Sequence, residues 1–214
     1  MFKKAWKGLV CGVLAALMLA TGFGLANADG NTVSSASDLR RGQIVRFGEW
    51  YGDPLGWYVL DIQGSRVMLM LAGAWLENMR YNDIRKPVTW ETCTLRQWLN
   101  GEFYDNAFTG NEKKRILEVT VPADRNPDYP NVDPGNATKD RVFLLSIPEY
   151  QKLLKVEKMR VFAKPDGKAQ WWWLLSPGNK PDIAASVGSV GSLLNGGTRV
   201  DDAHAVRPVL WIYL

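Results

Sequence analysis

Trp57-Tyr58-Val59-Leu60-Asp61-Ile62-Gln63-Gly64-Ser65-Arg66-Val67-Met68-Leu69-Met70-Leu71-Ala72 is the stretch from which the fold is read. Two runs of β-forming side chains flank a polar turn that contains glycine, the pattern of a β-hairpin. The second run is apolar throughout, so it fits a strand covered on both faces. Ile44-Val45-Arg46-Phe47 upstream supplies a further strand. Downstream the period changes. Leu95, Trp98 and Leu99 recur at i, i+3 and i+4, with Thr92 or Thr94 as N-cap, which predicts a helix. Thr109 with Glu112, and Ser146 with Glu149, have the capping-box spacing and open two more helices, the second running to about Val156. Val119-Thr120-Val121 and Val142-Phe143-Leu144-Leu145 read as strands on either side of a polar loop. The last third holds short strands and glycine turns: Trp171-Trp172-Trp173-Leu174, residues 184–187, residues 190–194, a turn at Asn195-Gly196-Gly197, and a closing strand within 205–214. Hairpin, helices and a β-rich end, without regular βαβ alternation, predict an α+β fold in one domain over residues 42–214.

Composition agrees with one globular domain: 46% of the 214 residues are hydrophobic and 22% charged. The formal charge of +4 is deceptive. Lys3, Lys4 and Lys7 precede an uncharged apolar run over residues 9–25, and Ala26-Asn27-Ala28 is a small-x-small cleavage site. Residues 1–28 therefore read as a secretory signal peptide, with an uncleaved membrane anchor as the alternative. Residues 29–41, polar and small, read as a flexible lead-in. Beyond the signal segment the charges nearly cancel. Lys113-Lys114-Arg115 is the only short basic cluster, so a nucleic-acid partner is not expected. Contact with a membrane is expected only through the signal segment, if it is retained. Export leaves Cys93 as the sole thiol, which excludes an internal disulfide and a cysteine-rich metal site.

Five blocks stand in order: residues 56–60, 88–104 (Val-Thr-Trp-Glu-Thr-Cys-Thr-Leu-Arg-Gln-Trp-Leu-Asn-Gly-Glu-Phe-Tyr), 140–146, 171–178 and 206–211. Together they resemble a bacterial domain family of unknown function that looks related to the C-type-lectin-like fold of sulfatase-modifying factors (formylglycine-generating enzymes) and of retroelement-diversified variable proteins. The resemblance covers residues 42–214. It implies a lectin-like fold whose ligands bind at loops before the closing strand, here residues 179–204. The formylglycine-generating enzymes hold copper with paired cysteines. With Cys93 alone in the exported chain, that oxidase chemistry is not expected here.

Two polar constellations stand out. Asn131, Asp133, Asn136, Thr138 and Asp140 offer oxygen donors at near-alternating spacing around Gly135. Such a loop can wrap calcium, or form Asx turns in which the side chains bond their own backbone. Asn195, Thr198, Arg199, Asp201, Asp202 and His204 gather donors, acceptors and both signs of charge within ten residues. They read as a ligand-contacting surface or as a solvated loop. Of the tryptophan run, Trp172 is taken as the candidate stacking platform, against core packing for the same residue. Arg207 reads as a buried cation paired with a carboxylate, or as a group that orients a ligand. No P-loop, G-x-G-x-x-G, H-E-x-x-H or G-x-S-x-G motif occurs. The expected function is a non-catalytic exported module that binds a glycan, a cell-wall polymer or a surface protein. Ligand contacts are expected from Asn195, Arg199, Asp201, Asp202, His204 and Trp172, and calcium ligation from Asn131, Asp133, Asn136 and Asp140. The alternatives are a hydrolase using Asp201, Asp202 and His204, and a structural envelope protein.

Overall fold

A computed structural model describes residues 25–27, 29–73, 76, 78–163 and 167–214. The signal-peptide reading falls on residues 1–28, almost all outside the described residues.

The expected hairpin is the centre of the fold. Strands β1 (Ala26–Asn27), β2 (Ile44–Trp50), β3 (Asp53–Gln63) and β4 (Arg66–Leu71) follow one another, and the closing strand, residues 209–213, adds beside β4. All neighbours are antiparallel. Every residue of β4 after Arg66 is buried, as an apolar run covered on both faces requires. Tyr51, at the β2–β3 turn, has φ +52°, and Gly52 beside it has φ +85°.

A two-residue strand, β5 (Met79–Arg80), precedes the helical region. Helix α1 (Thr94–Trp98) runs through a π-helical turn (Leu99–Phe103) into α2 (Tyr104–Ala107). Both capping boxes form, at the starts of α3 (Gly110–Lys113) and α4 (Ile147–Leu153). Strands β6 (Val119–Val121) and β7 (Thr138–Asp140) pair across the polar loop. The run at residues 142–145 is not a strand along one sheet. Phe143 exchanges two backbone bonds with Val209, and two residues on Leu145 O accepts from Leu175 N. The segment thus staples two sheets together.

Strands β8 (Phe162–Ala163) and β9 (Ala169–Gln170) form a short ribbon. The second sheet is β10 (Trp172–Pro177), β11 (Ile183–Val187) and β12 (Leu193–Arg199), antiparallel in that order. β13 (Ala203–His204) pairs with β5, and β14 (Val209–Tyr213) closes the chain. The architecture is mixed α+β, built from small antiparallel sheets and short helices.

Two further features differ from expectation. Asn195-Gly196-Gly197 lies inside β12 rather than in a turn. Gly197 has φ +72°, and a Cβ there would overlap the carbonyl oxygen of Ala184 on β11, beside a register irregularity. The glycine allows close backbone approach at a bulge. The expected lead-in over 29–41 lies against the domain, with Val33, Ala36 and Leu39 buried.

Candidate functional site

The site is built where β12 runs out and the chain returns through β13. Arg199, at the end of β12, reaches Asp201 (3.2 and 3.4 Å) and Asp202 (3.4 Å). Next to this turn Arg85 pairs with Asp182 at 2.7 Å. That carboxylate, with the field of Asp201 and Asp202, pushes the Arg85 pKa up, while Arg85 holds Asp182 below the usual carboxylate range. These pairs are solvent-exposed and contribute little to stability. They form a rim carrying both signs of charge.

His204 lies behind the rim. Its ring is 4.3 Å from Trp173 and 5.7 Å from Trp171, and its Nε2 is 2.8 Å from Thr198 Oγ1. Burial lowers the His204 pKa below its ordinary 6.5, with Asp202 opposing, so the ring is neutral at pH 7. Beside it opens a cleft of about 370 Å³, lined by Asn78, Ala169, Gln170, Trp171, Ala203 and His204. Asn78 holds φ +58°, a conformation that asparagine tolerates better than most residues.

Of the expected contact residues, the structure brings Arg199, Asp201, Asp202 and His204 together. It does not bring Asn195 there. Asn195 lies four residues back along β12, roughly 13 Å, and its amide Nδ2 donates to Asp128. Trp172 is corrected as a platform: it is 1% exposed, and its Nε1 donates to Arg160 O at 3.0 Å. Both faces of β10 are covered, so the strand itself presents no free tryptophan ring. Trp172 packs on Tyr150 and Arg207, and Trp173 on Tyr81 and His204. Trp171, just ahead of the strand and 40% exposed, is the available ring. The polar Gln170 preceding it was the available signal.

The calcium set does not converge. Asp140 is 1% exposed, and its carboxylate accepts from Arg96 Nε (2.7 Å), Trp90 Nε1 (2.9 Å) and Thr138 Oγ1 (2.6 Å). Asp133 accepts from Gly135 N in an Asx turn, and Asn136 turns its Nδ2 donor toward Glu91. Asn131 has no described side-chain bond to the other three. Among the described residues no group of three or more His, Cys, Asp or Glu is placed to hold a metal ion. The chain's donors in this loop therefore do not fit calcium. Cys93 is buried as an N-cap, accepting from Arg96 N and donating to Trp90 O, and burial pushes its thiol pKa up to about 12. That is a structural thiol, not an activated one.

Arg207 is 1% exposed and has no carboxylate partner among the described residues. Its Nε donates to Leu71 O (3.1 Å) and one terminal nitrogen to Met159 O (2.7 Å). The guanidinium lies 4.7 Å from the Phe162 ring and 4.8 Å from that of Trp172. Carbonyl dipoles and ring faces replace the expected counter-ion.

The fold and the rim-and-cleft arrangement describe a small α+β domain with an open surface depression. A family model described as a domain of unknown function (DUF6273) matches residues 65–214, and the chain belongs to that family. The matched part begins in the turn of the central hairpin, so β1–β3 precede it. No curated protein and no solved structure matches the chain.

Proposed function

We propose that this protein is an exported, non-catalytic binding module with a C-type-lectin-like fold. Its ligand is a glycan, a cell-wall polymer or a surface protein, held at the face formed by residues 199–204 and Trp171. The observation that carries the reading is the exposed Trp171 ring over a cleft with His204, Gln170 and Asn78. An apolar ring face flanked by neutral donors and acceptors suits a polyhydroxylated ligand. The lectin-like assignment is supported by two antiparallel sheets, a closing strand beside the central hairpin, and irregular chain ahead of it. Export is supported by Lys3, Lys4 and Lys7, the apolar run and Ala26-Asn27-Ala28.

The test is binding of the purified protein to arrayed glycans and cell-wall fragments, with Trp171→Ala as the control. Specific binding lost in the variant is the expected result. An unchanged profile in Trp171→Ala overturns the site assignment, and no binding at all overturns the glycan and wall-polymer ligands.

One contact favours a second reading, a hydrolase. Thr198 Oγ1 lies 2.8 Å from His204 Nε2, and Asp202 acts on the same ring. A hydroxyl beside a neutral imidazole is the geometry of a nucleophile and its base. Turnover of a wall fragment, lost in His204→Ala and in Thr198→Val, decides for this reading.

A further inference from the structure

A second cleft, of about 460 Å³, opens beside the first along the β5–β13 ribbon. Trp98, Thr94, Arg80 and Asp83 line it, and Asn78 and Ala203 belong to both clefts. The two depressions therefore adjoin at a waist formed by Asn78, just ahead of β5, and Ala203 on β13. Each carries a tryptophan: Trp171 on one side, Trp98 on the other. Trp98 is braced edge-on by Trp50 at 5.8 Å, and Trp50 in turn carries Tyr51, which is 89% exposed.

We infer that the two clefts form one groove that holds a linear, uncharged oligosaccharide, with one sugar ring on Trp171, another on Trp98, and the chain crossing the waist at Asn78 and Ala203. This inference rests on the binding-module reading and narrows its ligand class. Three observations select the ligand. Among the described residues the lining is charge-balanced, with Arg80 and Asp83 as its two charged side chains and a neutral His204. The other polar side chains among its described lining residues are amides and a hydroxyl: Asn78, Gln170 and Thr94. The backbone has little to offer an added peptide strand. Met79 O already accepts from Trp173 Nε1 (2.9 Å), Tyr81 O from Leu95 N (3.2 Å), and Asn82 N donates to Val200 O (2.8 Å). An extended peptide binds a sheet edge through unpaired main-chain groups. Here recognition falls to side chains, with rings for stacking and neutral groups for hydroxyls.

The experiment is calorimetric titration of the full protein with β-1,4-linked glucose and N-acetylglucosamine ladders, dimer to hexamer, in buffer containing chelator. The expected result is affinity rising about tenfold or more with chain length, because the second subsite is engaged without a second loss of translational freedom. Trp98→Ala is expected to return the hexamer to the affinity of the dimer and to leave the dimer unchanged, whereas Trp171→Ala weakens both. Trp98 also packs on Phe103. Ala203→Trp, at an exposed position, is therefore the second variant: it blocks the waist and abolishes the gain with length. A hexamer that binds no better than the dimer, or a gain that survives both variants, overturns the single groove. If neither ladder binds but an arrayed peptide or charged polymer does, the ligand class is wrong and the module reading stands. If nothing binds in either experiment, the groove falls together with the glycan and wall-polymer ligands, and a surface protein is left as the module's ligand.

Discussion

Arg207 shows what one side chain contributes when it is buried without a counter-ion. Burial draws its pKa down to about 9, still well above neutrality, so the guanidinium enters the core charged. Arg207→Ala leaves Leu71 O and Met159 O without donors and empties the space between Phe162 and Trp172, at a cost of about 3–5 kcal/mol. Arg207→Lys does not rescue it, because an ammonium cannot fork to two carbonyls while lying flat on two rings. Denaturant midpoints of the two variants check both statements. Asp140→Ala costs about 3–5 kcal/mol, toward the lower end because the Arg96 side chain is 23% exposed and keeps access to water. His204 gives a pH dependence whose sign follows from its lowered pKa. The folded protein prefers the neutral ring, so the stability linked to it is complete above the unfolded value of 6.5. It is lost as pH falls from there through the folded value. Thermal melts between pH 7.5 and 5 are expected to fall in the parent protein and to flatten in His204→Gln.

Among elements, the parts readable from sequence are those with a local cause. The capping boxes at Thr109 and Ser146 are satisfied within three residues, so spacing alone reveals them. The central hairpin is legible because its turn and its alternation lie in one stretch. Residues 142–145 look like a strand and act as a staple, because their partners are Val209 and Leu175, far away in sequence. Trp171 and Trp172 are chemically identical, and only the layers covering β10 make one a core residue and the other a surface ring. Asp140 looks like a metal ligand until Arg96 and Trp90 arrive from another element. Gly197 reads from sequence as a turn glycine, whereas its positive φ serves a bulge. Gly197→Ala is expected to destabilise by on the order of 1–3 kcal/mol from backbone strain alone, and further through the clash with Ala184, read as a lowered melting temperature. A glycine-to-alanine change at Gly64, which meets nothing within 4 Å but shares the positive φ, isolates the strain contribution.

At the scale of the whole molecule, the committed state of the Asp133–Asp140 donors predicts that calcium or chelator leaves the melting temperature unchanged. A calcium-dependent rise in scanning calorimetry refutes it. Maturation has a structural reach as well. Under the proposed export, cleavage after Ala28 takes β1 from the edge of β2 together with the buried Leu25, whose carbonyl accepts from Val33 N. Intact-mass measurement of the exported protein is expected to start at Asp29; a start at Met1 favours a retained anchor. The central sheet has one more property. Its fourth strand cannot gain its neighbour until the closing strand exists, since Leu69 lies opposite Leu210 and Val67 opposite Ile212. Pairings this distant are slow to form. On the ribosome, the β4 edge stays unpaired until Val209–Tyr213 has emerged, and folding waits with it. Under the proposed export, that delay acts as a timer: it keeps the preceding polypeptide open to translocation until the Val209–Tyr213 strand has been made.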